Sequence, residues 1–246
     1  MRRADCPAVV ITCEHGGNRV PAQWQHLFKH GGDVLETHRA WDPGALVLAK
    51  QFAAALQCPL HVAVVTRLLV ELNRSLHHPA LFSEFSRNLS AEERQQILNQ
   101  HWYPYRSRVE AEIAEAIEKQ GCVIHLSVHS FTPVWQGIPR RTDIGLLYDP
   151  SRSGEKAFCH RWQSLLVEAQ PGLTIHRNAP YRGIADGFVT HLRKRFTASR
   201  YIGIELEVSQ KFPNQPRPAW SQLQQQLITT FSRAVDHSGQ GRRQEN

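Results

Sequence analysis

Short runs of aliphatic and β-branched residues that stop abruptly at polar or charged groups recur along this chain. They are separated by segments of helical composition, and that alternation is what most narrows the possible folds. Ala8 to Thr12 runs into Glu14-His15-Gly16-Gly17-Asn18, and 68–72 into Asn73-Arg74-Ser75. Val123 to Val128 runs into His129-Ser130, and Ile144 to Tyr148 into Asp149-Pro150. With 60–65, 173–176 and 201–208 these are the predicted strands. Helices are predicted over 44–56, with Asp42 as N-cap and Pro43 at the first helical position, and over 154–169 and 219–235. The stretch 90–120 opens with the capping-box pattern Ser90-Ala91-Glu92-Glu93 and is read as two tandem helices, broken or kinked near Pro104. Strands alternating with helices predict an α/β fold with a mostly parallel sheet. Such sheets carry their sites on loops beyond the carboxyl ends of the strands. No linker or repeat divides the chain, so a single domain over 1–246 is expected, with 237–246 as a frayed polar tail.

Composition removes several functional classes. With 41% hydrophobic and 21% charged residues in 246, the chain is neither disordered nor collagenous. No apolar stretch approaches the roughly 18 to 20 residues that span a bilayer, and Asp5 stands where a signal peptide would turn apolar. A soluble cytoplasmic protein without a membrane partner is expected. The five cysteines, Cys6, Cys13, Cys58, Cys122 and Cys159, form no Cys-x-x-Cys pair and are read as reduced thiols. A net charge of +7 would suit nucleic acid, but the basic residues are scattered, the densest group being Arg193-Lys194-Arg195, and carry no interleaved aromatics. A small anionic substrate is the better use for that charge.

Candidate chemistry gathers at the predicted strand ends. His15 and His129 each close a strand, and period-2 alternation puts His125 and His129 on one face, one able to reach the sheet end and the other packed. A lone histidine there could simply hydrogen-bond the strand end; two suggest a metal. Catalytic zinc takes three protein ligands and keeps one position for water. Asp42, Asn18, Glu14 and His38 are the candidates for a third ligand, with Asp42 slightly favoured for its anionic oxygen. Glu205 and Glu207 share a strand face and would be expensive to bury without a partner or a proton-transfer role. Asn73 and Arg74 present an amide and a guanidinium at a strand end, suited to a carboxylate, and Arg140 and Arg182 are further candidates for binding an acidic substrate.

Five segments in order carry a resemblance: Thr12-Cys-Glu-His-Gly-Gly-Asn-Arg-Val-Pro21, His38-Arg-Ala-Trp-Asp-Pro-Gly-Ala45, Thr66-Arg-Leu-Leu-Val-Glu-Leu-Asn-Arg-Ser75, His125-Leu-Ser-Val-His-Ser-Phe-Thr-Pro133 and Ile202-Gly-Ile-Glu-Leu-Glu207. Together they resemble the N-formylglutamate amidohydrolase family, from about residue 8 to about residue 212. The resemblance implies a three-layer α/β/α, phosphorylase/hydrolase-like fold akin to the zinc carboxypeptidases and aspartoacylases. It also implies hydrolysis of N-formyl-L-glutamate to formate and glutamate in histidine breakdown. In that superfamily a His-x-x-Glu loop and a later His hold zinc, an Asn-Arg pair grips the substrate carboxylate, and a late-strand Glu is the base. His15 and His129, Asn73 and Arg74, and Glu205 or Glu207 match those positions. Asn18 stands where the superfamily has its Glu ligand, and Glu71 replaces the Asp that precedes Leu-Asn-Arg in many relatives.

The expected chemistry is zinc-assisted amide hydrolysis, with Glu205 or Glu207 as proton acceptor and Asn73, Arg74 and either Arg140 or Arg182 on substrate carboxylates. Two other readings share these residues: a related amidase or carboxypeptidase-like hydrolase on another N-acyl amino acid or peptide, and a non-catalytic ligand-binding relative.

Overall fold

The computed structural model describes residues 7–240; Met1–Cys6 and 241–246 lie outside the described residues. In chain order the elements are β1 (Ala8–Cys13), α1 (Ala45–Leu56), β2 (Leu60–Val62), α2 (Ala91–Ile97), α3 (Tyr103–Gln120) and β3 (Val123–Phe131). A small hairpin of β4 (Val134–Trp135) and β5 (Ile138–Pro139) follows. Then come β6 (Ile144–Leu147), α4 (Ser153–Ala169), β7 (Ile175–Arg177), α5 (Phe188–Arg195), β8 (Tyr201–Ser209) and α6 (Arg217–Gln240). Six strands form one sheet in the order β2-β1-β3-β8-β6-β7. All neighbours run parallel except β6 against β8, so the sheet is mixed and mainly parallel, as predicted.

Helices cover both faces of the sheet. On one, Leu48 and Phe52 of α1, Phe158 and Trp162 of α4, and Leu227 and Phe231 of α6 pack on Ile11, Ile124, Leu126, Ile204 and Leu206. On the other, Val109, Ile113 and Ile117 of α3 and Phe188 and Leu192 of α5 pack on Val10, Val123 and Tyr201. These are the near-continuous apolar strands that a sheet covered on both faces requires. No helix among the described residues is long and apolar enough to cross a membrane.

Several expectations shift. The run 68–72 is buried but is not a strand; it turns, with Leu69 N–H donating to Thr66 O (3.0 Å). Side chains satisfy two of its carbonyls: Ser83 and Ser86 hydroxyls bond Leu68 O, and Arg106 bonds Leu72 O (3.0 Å). Buried backbone needs partners, not necessarily a ladder. The predicted strand over 60–65 keeps only Leu60–Val62, with a single bridge from Val65 to Arg19. Ser90 forms the expected capping box with Glu93, and the two expected helices follow in tandem, their junction lying just before Pro104. A π-helical turn, Leu98–Trp102, joins α2 to α3, its wider register lying just before the proline ring that an unbroken α-helix could not take. Asp42 does not cap α1: Gly44, at φ 85°, holds the N-cap position, and Asp42 contributes only its carbonyl, to Ala45 N–H (3.1 Å). The sequence reading omitted α5, although its basic last turn, Arg193-Lys194-Arg195, is a helix C-terminus signal. The backbone of α6 stays helical through 237–240, and the rest of the predicted polar tail lies outside the described residues.

Candidate active site

Three parallel neighbours, β1, β3 and β8, deliver their carboxyl ends side by side. The register pairs Thr12 with Ser127, Ser127 with Glu205, and His129 with Glu207. Alternation therefore stacks Thr12, His125, Ser127, His129, Glu205 and Glu207 on one face. His125 packs within the sheet, bonded to Thr12 Oγ1 (2.9 Å) and Tyr201 Oη (2.7 Å), whereas His129 reaches the sheet end. Just past β1, Gly16 and Gly17 press against the backbone of 63–64. A Cβ at Gly16 would meet Ala63 O at 2.9 Å, and one at Gly17 would meet Val64 O at 2.8 Å. This close approach turns the chain and leaves His15 beside the sheet end.

His15, Asp42 and His129 converge. Among the described residues they form the one His/Cys/Asp/Glu group that could hold a metal ion, with one ligand atom from each lying within 4.8 Å of the others. His129 Nδ1 is 2.9 Å and His15 Nδ1 is 3.3 Å from the same oxygen, Asp42 Oδ2. Ser130 N–H points at that oxygen as well, 3.3 Å away. Each histidine meets a carboxylate on its far side: His15 Nε2 contacts Glu71 Oε1, and His129 Nε2 lies 3.3 Å from Glu14 Oε2. Two imidazole nitrogens and a carboxylate oxygen facing one point need a cation between them, either protons or a metal. Burial would lower the affinity of His129 for a proton, but its bonds to Asp42 and Glu14 outweigh this and raise its pKa well above the ordinary value. Asp42 and Glu71 are held well below the carboxylate range: burial pushes both up, but His15 and Arg67 pull them down further. A His/Asp/His donor set with carboxylates behind both imidazoles fits a catalytic zinc site, which keeps one position open.

Beside this group stand the two glutamates of β8. Both are buried, and burial raises both pKa values, that of Glu207 to about 8. Asp42 and Glu205 push Glu207 further up, while His129 and Arg67 oppose them. Glu207 Oε2 is buried without a hydrogen-bond partner among the described residues, so one carboxyl oxygen beside the group is left uncommitted. Gly145 on β6 lies opposite Glu207, where a Cβ would come within 3.2 Å of Glu207 Cβ and 2.2 Å of Ala179 O.

The remaining candidates separate. Asn18 donates its amide to Leu35 O (2.8 Å) and Glu36 Oε1 (3.3 Å), which fixes a loop, and the convergent group does not need it. His38 is outside the group too; burial and the charges of Arg39 and Arg67 lower its pKa, while Asp42 partly offsets them. Glu14 sits behind His129. Asn73 Oδ1 accepts from Phe188 N–H (2.7 Å) and so caps α5. Arg74 donates to Asp186 O, and its charge acts on Glu205. Arg140 donates to Tyr181 Oη (3.1 Å) and Thr132 O (3.4 Å) and lies 5.0 to 5.5 Å from the ring centres of Phe131, Trp135 and Tyr181. The Tyr181 phenol in turn feels Glu207 and Asp42, so this guanidinium is held at the edge of the site. Arg182 is exposed, and its carbonyl accepts from Ala185 N–H (3.0 Å).

The sequence reading missed Arg67, whose guanidinium joins Asp42 Oδ1 (3.2 Å) to Glu71 Oε2, with Nε 2.7 Å from the latter. No helix joins Arg67 to Glu71, so their spacing of four gave no signal, and the pair is visible only in the fold. Also missed were Ser127, legible at period 2 between the two histidines, and Tyr105 of α3, whose phenol donates to Glu14 Oε1 (2.8 Å) and whose place no local pattern reveals.

Comparison with known proteins gives the family and the fold. Residues 7–212 match the N-formylglutamate amidohydrolase family. The crystal structure of an Agrobacterium tumefaciens gene product is similar with a TM-score of 0.77 and 25% identity, over 95% of this chain and 93% of that one. The crystal structure of N-formylglutamate amidohydrolase from Ralstonia eutropha JMP134 shares the fold, with a TM-score of 0.71, 20% identity and 96% of each chain covered. No curated protein matches the chain.

Proposed function

Because this chain belongs to the N-formylglutamate amidohydrolase family, we propose that it hydrolyses the amide bond of an N-acyl acidic amino acid. The preferred substrate is N-formyl-L-glutamate, cleaved to formate and L-glutamate. In this reading His15, Asp42 and His129 hold one divalent ion, zinc by the chemistry of the donor set. The observation that carries the reading is their convergence, buried, beside the unpartnered carboxylate of Glu207.

When bound, zinc supplies Lewis acidity, polarising the acyl oxygen and lowering the pKa of water. The chain's own residues do the rest. Glu207, rather than Glu205, takes the proton of the attacking water at Oε2 and returns it to the leaving amine, since its free oxygen and its pKa near working pH suit both transfers. Arg140, steadied by three rings, receives a substrate carboxylate, and Arg74 with the side-chain amide of Asn73 receives the other. Placing both carboxylates fixes the acyl carbon for attack. A net charge of +7 favours the approach of such a dianion.

The test is metal content together with release of formate from N-formyl-L-glutamate. About one zinc per chain, lost in His15→Ala and Asp42→Asn, with hydrolysis that follows the metal, is the expected outcome. Full activity in metal-free protein would refute the metal assignment, and turnover of N-acyl peptides with none of N-formylglutamate would favour the carboxypeptidase-like reading.

A further inference from the structure

Glu14 precedes His15 directly, yet its carboxylate serves the other histidine. Its Oε1 accepts from the phenol of Tyr105 on α3 (2.8 Å), and its Oε2 accepts from the hydroxyl of Ser127 (2.6 Å). Ser127 has one proton, and it goes to Glu14. The 2.9 Å contact between Ser127 Oγ and His129 Nε2 must then run the other way, with Nε2–H donating. Glu14 Oε2, 3.3 Å from the same nitrogen, stabilises that proton. That fixes a proton on Nε2 and leaves Nδ1, the atom 2.9 Å from Asp42 Oδ2, as the nitrogen of His129 that can give up its proton to a metal ion. Glu71 stands in the same relation to Nε2 of His15.

We infer that Glu14, braced by Tyr105 and Ser127, is a positioning residue that commits His129 to ligation through Nδ1 and sets the affinity of the site for a divalent cation. The inference rests on the metal reading given under Proposed function. A carboxylate on the far nitrogen of a ligating imidazole fixes its tautomer and ring orientation and strengthens its donation to the metal. Glu14 is suited to this and to little else. It is fully buried, and among the described residues its ion pair is with His129.

The experiment compares wild type with Glu14→Gln and Tyr105→Phe, using zinc affinity by competition with a chromophoric chelator and the visible spectrum of the Co2+-loaded protein. Glu14→Gln keeps an acceptor of the same shape but removes the charge. It should weaken zinc binding about 10- to 100-fold and shift the Co2+ bands. Tyr105→Phe should move both readouts in the same direction by less. In zinc-loaded wild type, 15N imidazole spectra should show His129 protonated at Nε2 and ligating through Nδ1. Ligation through Nε2, or unchanged zinc affinity in Glu14→Gln, would overturn the inference. Should Glu14→Gln fail to fold, unchanged affinity in Tyr105→Phe, even with lowered thermal stability, would overturn it equally. Wild type that binds neither ion would instead remove the metal reading itself.

Discussion

His125 makes the protein acid-sensitive in a way that can be calculated. The ring is fully buried between Thr12 and Tyr201 hydroxyls, and burial, its largest influence, lowers its pKa from 6.5 to about 4, with Arg193 adding to the effect against the opposing charge of Glu14. In the unfolded chain it titrates near the ordinary 6.5. Above that pH both states are neutral and the full native stability is present. Below it the unfolded state gains a proton that the folded state refuses, so stability falls until the pH passes about 4. At about 1.4 kcal/mol per pH unit the loss totals about 3 kcal/mol, of which about 2.5 kcal/mol is reached by pH 4.5. For a chain of this length that is roughly 5 to 10 °C of Tm. Urea unfolding followed by tryptophan fluorescence at pH 7.5 and 4.5, for wild type and His125→Gln, measures it. The glutamine substitution costs a constant amount at neutral pH, but the gap between the proteins should narrow by about 2.5 kcal/mol on acidification. Parallel losses in the two proteins would refute the buried neutral imidazole.

Glu207→Gln should lower kcat by roughly 10^2 to 10^4 while KM and zinc content hold, because only the proton transfer is lost; a similar loss in Glu205→Gln alone would reassign the role. Arg140→Ala should raise KM for N-formyl-L-glutamate by about 10- to 100-fold, the worth of one charge-assisted hydrogen bond, and leave a neutral N-formyl amide unaffected; steady-state kinetics on both substrates decide. Trp162→Ala should cost about 3 to 5 kcal/mol of unfolding free energy, since the ring is fully buried, packs 4.9 Å from Phe231 between α4 and α6, and donates to Thr230 Oγ1 (3.1 Å). A cost below 1 kcal/mol, by urea titration, would mean the two helices close over the cavity.

What the sequence determined by itself was local and periodic. Alternation put His125, His129 and both β8 glutamates on strand faces, the capping box placed the start of α2, and the succession of strands and helices specified a mostly parallel sheet. These follow from side-chain direction and hydrogen-bond chemistry within a few residues. Tertiary structure decided whatever depends on distant partners. The run 68–72 has strand composition, yet it pairs with no strand among the described residues, and Ser83, Ser86 and Arg106 satisfy the carbonyls of Leu68 and Leu72 at its ends. Asp42 has the sequence of a helix cap, yet its carboxylate is drawn to two histidines and to Arg67. Asn18 has the spacing of a ligand, but its amide finds Leu35 O. In each case the local preference is worth about 1 kcal/mol or less, and a buried charge or an unpaired backbone group costs more, so the distant partner prevails.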